Sequence, residues 1–136
     1  MRLALLDTDI LSEFLKQKNP AVLKNAADYL ADFQQFAISA MTRYEVMRGL
    51  KDKGASHQLK KFEQFCQHAE VFPITDEVLD RTSDLWVEAR KGGHPRRDPD
   101  LIIAATALEH GRVLVTGNTS DFAWIPGLII EDWRIA

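Results

Sequence analysis

Acidic residues stand just past the apolar runs of this chain. Asp7 follows Leu3-Ala4-Leu5-Leu6, Glu45 lies in the helix-like stretch after Phe36–Ile38, Asp100 heads a run of apolar and small residues, and Asp121 comes after Val113–Val115 and the turn Thr116-Gly117-Asn118. Carboxylates brought to one place raise one another's pKa and destabilise a fold unless cations neutralise them. Oxygen-only ligands, without clustered His or Cys, select a hard ion such as Mg²⁺ or Mn²⁺ over zinc. Such ions keep several waters and bind phosphate oxygens, so hydrolysis of a phosphodiester is the natural chemistry, with one ion or two.

Each acid also has a plainer reading. Asp9 or Thr8, taken alone, is a preferred helix N-cap, whereas Asp7 lies at the end of a strand and is less well explained that way. Thr42-Arg43-Tyr44-Glu45 has the form of a capping box, with Glu45 reaching back to the cap's amide. Asp98-Pro99-Asp100 begins a helix in the expected manner, Asp98 as cap and Pro99 at the first position. The Thr116–Asp121 stretch is rich in ordinary turn residues. What changes the weighting is placement, since all four regions would share one end of a parallel sheet.

That placement depends on the elements between the acids. Apolar runs Leu3–Leu6, Phe36–Ile38, Val71–Ile74 and Val113–Val115 have the length of buried strands, with Leu128–Ile130 a peripheral fifth. Helical patterns cover Ile10–Lys18, Ala21–Phe33, Thr42–Lys53, Gln58–Gln67, Glu77–Lys91 and Asp100–His110, the last closing at Gly111. Strands alternating with helices predict a three-layer α/β/α sandwich around a mainly parallel central sheet, which puts ligands at the carboxyl ends of the strands.

At 136 residues and 46% hydrophobic content there is room for one domain with one sizeable core, read as residues 1–136. A net charge of −3 creates no field that would hold a polyanion non-specifically, although an acidic site would itself lower the count. Cys66 is the only cysteine, which excludes an internal disulfide and a multi-cysteine zinc site and fits a reducing compartment. The apolar start is too short for a signal peptide and no later run reaches membrane-spanning length, so the expected location is the cytoplasm, with no membrane partner.

Taken in order, Leu6-Asp7-Thr8-Asp9-Ile10-Leu11-Ser12-Glu13, Thr42-Arg43-Tyr44-Glu45 with Gly49, Asp100-Leu101-Ile102-Ile103-Ala104-Ala105-Thr106-Ala107-Leu108, Leu114-Val115-Thr116-Gly117-Asn118 with Asp121-Phe122, and Ile125-Pro126-Gly127-Leu128 to Glu131-Asp132-Trp133 resemble the PIN-domain toxins of the VapC type. The resemblance spans nearly the whole chain. It implies Mg²⁺- or Mn²⁺-dependent endoribonuclease activity on an RNA substrate, and a homodimer silenced by a VapB-like antitoxin. It implies that Asp7, Glu45 and Asp100 are the core metal-binding acids and Asp121 the more variable fourth, with Glu45 acting partly by ordering metal-bound water. Thr116 and Asn118 would support the site or touch a phosphate. Two departures stand out: many relatives have Asn where this chain has Asp9, and Asp98 competes locally with Asp100, whose spacing to Ile103-Ala104-Ala105 fits the family pattern.

The basic loop Lys91-Gly92-Gly93-His94-Pro95-Arg96-Arg97 precedes these acids and could clamp an RNA phosphate through Arg96 and Arg97, or simply be solvated. The four histidines lack metal-ligand spacing. Trp86, Trp124, Trp133 and the phenylalanines read as core or subunit contacts, with Phe62 and Phe65 on one buried stripe. One rival is a haloacid dehalogenase-like phosphatase using Asp7 as nucleophile, but the supporting lysine and later paired acids of that chemistry are not evident. Another is a catalytically weak PIN-like subunit that acts with a DNA-binding partner in transcriptional regulation.

Overall fold

The strands are only two or three residues long, and β1 and β2 pass almost directly into helices. The structure, a computed structural model, describes residues 1–135. Among them the elements run β1 (Ala4–Leu6), α1 (Thr8–Lys16), α2 (Pro20–Phe33), β2 (Ala37–Ser39), α3 (Ala40–Asp52), α4 (Ser56–His68), β3 (Glu70–Phe72), α5 (Asp76–Lys91), α6 (Asp98–Glu109), β4 (Val113–Val115), α7 (Thr119–Phe122) and β5 (Ile130–Glu131). Every strand pair is parallel: β1 with β4, β4 with β5, and β2 with β3. The ladder is not continuous as expected. It forms two hydrogen-bonded sections, β1-β4-β5 and β2-β3, with β1 lying alongside β2.

Alternation along the strands builds the three layers. Ala4, Leu6, Ile38, Val113 and Val115 face one buried cluster, shared with Ile10 and Leu11 of α1, Val22, Ala26 and Tyr29 of α2, and Phe62 of α4. Leu5, Ala37 and Leu114 face the opposite cluster, shared with Val78 and Leu85 of α5 and Leu101–Ala105 of α6. Successive side chains of a strand point to opposite faces, so three-residue strands that are buried throughout must be covered on both sides. Trp133 is buried on the first side against Tyr29 and Phe36, while Trp86 is largely exposed.

Several local starts differ from the sequence reading. Ser39 ends β2 and caps α3 directly, its hydroxyl accepting from the Met41 N–H at 3.0 Å. The helix therefore begins two residues early, Thr42 becomes fully buried, and no Thr42–Glu45 capping box forms. Helix α6 starts at Asp98, with extended Arg97 as its cap and Pro99 in second place, so Asp98 is not the cap. The short α7 occupies what reads in sequence as a turn, and β3 stops at Phe72 because Pro73 has no N–H to continue a ladder. The expected end of α6 holds: Gly111 takes φ +60°, a left-handed conformation natural to glycine, and its N–H reaches Leu108 O at 3.2 Å.

Candidate active site

Because β1 and β4 are parallel neighbours, their carboxyl ends present Asp7 and Thr116 side by side. The Asp7 N–H donates to Val115 O at 2.8 Å, extending the pairing by one residue, and Asp7 is only 4% exposed. Its carboxylate accepts from the Thr8 N–H and from the Thr116 hydroxyl, both at 2.8 Å. Asp7, not Thr8 or Asp9, is thus the N-cap of α1. The Thr116 hydroxyl also accepts from the Asn118 N–H at 3.0 Å, so Asn118 contributes its backbone to the support of Asp7. Burial above all, then the neighbouring charge of Asp9, pushes the Asp7 carboxyl up to about 7, against the two hydrogen bonds that favour the ion; Asp100 adds a smaller push.

Asp9 anchors the adjacent turn. Its carboxylate accepts from the Gly117 N–H at 2.9 Å and from the Ile10 N–H at 2.8 Å. Gly117 cannot carry a side chain without displacement, since a Cβ there would lie 2.6 Å from the Arg134 guanidinium and 2.7 Å from the Asp9 carboxylate. Arg134 donates to Gly117 O at 2.8 Å while paired with Asp132. Burial raises the Asp9 carboxyl above its ordinary range, opposed by the Gly117 and Ile10 amides.

Across from this turn, the start of α6 and the first turns of α3 bring the remaining acids. The half-buried Asp100 is raised chiefly by burial, with Arg97 opposing and the charges of Glu45 and Asp121 adding. Glu45, whose side chain is 10% exposed, accepts from the Thr8 hydroxyl at 2.8 Å, and that hydroxyl lies 3.2 Å from the Thr42 hydroxyl. Arg97 stretches between two acids, 3.9 Å from Glu45 Oε2 and 3.8 Å from Asp100 Oδ2, with 70% of its side chain exposed. Arg96 has a different role from its neighbour. It donates to Asp121 O at 3.1 Å and to Pro95 O at 2.9 Å, and its Nη2 lies 3.7 Å from Asp121 Oδ1, so it ties down the α7 turn. Asp98 is exposed and lines a separate groove with Trp86 and Ile102, away from the other acids.

The donor set is oxygen alone, and the buried Asp7 is a carboxylate that its surroundings leave under-compensated. A divalent cation would keep it ionised. Among the described residues no three acidic, His or Cys side chains are gathered tightly enough to form a cage. The fit is therefore with an ion held by one or two carboxylates and completed by water and phosphate, the habit of Mg²⁺. The acids expected from the sequence, Asp7, Glu45, Asp100 and Asp121, lie near one another with Thr116 beside Asp7, whereas the sequence did not point to Thr8 as the partner of Glu45, to Thr42 behind Thr8, or to Arg134 as the brace of the Gly117 turn. A capping reading absorbed both threonines; for Arg134 nothing local signals a contact 17 residues upstream.

Fold and site together define an α/β/α domain with acids gathered at the carboxyl edge of parallel strands. The PIN domain family model matches residues 4–127, and the chain belongs to that family. It is 29% identical to Ribonuclease VapC2 of Rickettsia felis, over 95% of this chain and 96% of that protein. It is 28% identical to the tRNA(fMet)-specific endonuclease VapC of Salmonella typhimurium, over 89% of this chain and 98% of the relative. Among solved structures, VapBC2 from Rickettsia felis bound to a DNA fragment from its promoter contains a chain that superposes with a TM-score of 0.85 at 26% identity, covering 96% of this chain and 98% of that one.

Proposed function

We propose that this chain is a cytoplasmic, metal-dependent endoribonuclease that hydrolyses RNA phosphodiester bonds and serves as the toxin of a toxin–antitoxin pair. The observation that carries the reading is the buried Asp7, raised to about 7 and oriented by Thr116, at the same edge as Asp100 and Glu45. Full-length similarity to VapC ribonucleases, and to a chain solved within a VapBC complex, supports it.

In this reading Asp7 and Asp100 hold Mg²⁺ or Mn²⁺, and Asp121 is the outer fourth acid. A bound ion supplies Lewis acidity at the phosphate and lowers the pKa of a water. Glu45, fixed by Thr8, accepts a hydrogen bond from the attacking water and orients it. Thr116 holds the Asp7 carboxylate in one rotamer, and the Asn118 amide holds Thr116. Arg97, mostly exposed, is free to turn from the acids to a phosphate oxygen, whereas Arg96 positions Asp121. A VapB-like antitoxin and a second copy of the chain complete the assembly. The phosphatase alternative lacks support, because among the described residues the Asp7 carboxylate is hydrogen-bonded by Thr8 and Thr116 and by no lysine.

The test is cleavage of total cellular RNA by the purified protein with Mg²⁺ or Mn²⁺, with EDTA and Asp7→Ala as controls. Discrete fragments absent from both controls are expected. RNA left intact with either metal, together with growth arrest that survives Asp7→Ala, would overturn the nuclease and favour a non-catalytic partner of a DNA-binding protein.

A further inference from the structure

Helix α3 carries Glu45 toward the acids on one side and a different set of residues toward solvent on another. Tyr44, Arg48 and Lys51 are exposed at helical spacings of three and four, so they share a face, with half-buried Met47 at its floor against the core and Arg43 at its border. Together with Asp52 they line a concavity of about 680 Å³. Tyr44 is 54% exposed, and the Arg48 guanidinium lies over it at 5.1 Å from the ring centroid. Arg43, Arg48 and Lys51 outnumber the single acid Asp52 around the concavity, so the face is locally basic on a chain whose overall charge is −3. It lies on the same helix as the site: Tyr44 immediately precedes Glu45, whose side chain turns to Thr8 and Arg97.

We propose that this face of α3 is the track for an unpaired RNA segment, with Tyr44 as a stacking platform for a base next to the scissile phosphate and Arg43, Arg48 and Lys51 on the backbone. Its choice of RNA rests on the nuclease reading. Charge complementarity selects a polyanion, and an exposed aromatic ring among cations is the arrangement that takes single-stranded nucleic acid, since every base offers a π-face and a guanidinium adds to the stack. A base within a duplex cannot reach such a ring, so the track favours loops and ends over helices. An isolated Tyr44–Arg48 pair would stabilise an exposed helix turn, but it would not call for Arg43 and Lys51 beside it.

The test is fluorescence anisotropy in EDTA with a labelled single-stranded RNA of about twelve mixed-sequence nucleotides and with a blunt duplex of the same sequence. Tyr44→Ala is expected to weaken single-strand binding about 5- to 100-fold, while Tyr44→Phe retains it. Arg48→Gln and Lys51→Gln should each lower the slope of log affinity against log salt by about 0.7, and Lys24→Gln on α2 should leave it unchanged. Equal binding by Tyr44→Ala and wild type, no single-strand binding by wild type, or a Tyr44→Ala protein that differs from wild type in sedimentation instead of RNA affinity overturns the inference. Cleavage separates the two readings. If wild type cuts RNA with Mg²⁺ and Tyr44→Ala binds and cuts alike, only the track is wrong; if RNA binds through Tyr44 and is never cut with either metal, only the nuclease is.

Discussion

Asp7→Asn is expected to inactivate the protein and, in the absence of metal, to stabilise it at alkaline pH. The Asp7 carboxyl sits at about 7 in the fold against an ordinary 3.8. A raised folded-state value means that the fold holds a proton the unfolded chain has released, so the stability linked to Asp7 is fully present below about pH 4 and is lost as pH rises through 7. At 1.36 kcal/mol per pH unit, the loss is about 1.7 kcal/mol by pH 5 and about 4 kcal/mol by pH 8.5. Asparagine removes this pH-dependent part. It also carries a cost: its oxygen can still accept from the Thr8 N–H, but its amide must donate to a Thr116 hydroxyl that already accepts from Asn118, leaving the hydroxyl proton without a partner. That offsets about 1–2 kcal/mol. The net expectation in EDTA is near equality at pH 5 and a gain of about 2–3 kcal/mol for Asp7→Asn at pH 8.5, read by urea denaturation at the two pH values. Adding Mg²⁺ or Mn²⁺ at pH 8.5 should stabilise wild type and not the variant. A difference between the two proteins that is the same at pH 5 and pH 8.5 would refute the idea that Asp7 is held at the expense of the fold.

Asp100→Asn should abolish RNA cleavage with the fold intact by circular dichroism, while Asp98→Ala keeps cleavage and loses only about 0.5 kcal/mol of first-turn helix stabilisation; the reverse pattern would reassign the third acid. Thr8→Val, which removes the hydroxyl donated to Glu45, should cost about 1 kcal/mol and lower cleavage with little change in RNA affinity, measured as kcat against KM. Gly117→Ala should displace Arg134 and loosen the Asp9 anchor, seen as an altered Arg134 side-chain NMR signal together with slower cleavage, because the new methyl meets both groups at under 3 Å.

The layer order was legible from alternation: Ala4, Leu5 and Leu6 are apolar at every position, which in a three-residue strand requires cover on both faces. Helix α6 was legible from its proline, its acids and Gly111. What could not be read locally was where strand passes into helix without a loop. At Ser39–Ala40 one residue ends β2 and caps α3, so a threonine with the right sequence to cap is carried into the interior, and Glu45 meets Thr8 from 37 residues away. The cap of α6 shifted for a related reason. A residue before proline favours extended backbone, which argues for Asp98, yet the Leu101 N–H closes on Arg97 O at 3.2 Å and the helix takes in Asp98. The loop arginines look equivalent in sequence and separate only in space, Arg96 bound to the α7 turn and Arg97 left open.

Asp100 and Arg97 are three residues apart but belong to different regimes of motion. Leu101 through Thr106 are buried all the way round α6, so their amides should exchange with deuterium only when the whole protein opens, on the slowest time scale it has. Arg97, 70% exposed and held among the described residues only by ion pairs of 3.8 and 3.9 Å, belongs to the class of side chains that resample rotamers in picoseconds to nanoseconds. The site thus sets a carboxylate on a stiff helix beside a cation on a pliable side chain, so the negative charge keeps a fixed place and the positive one an average.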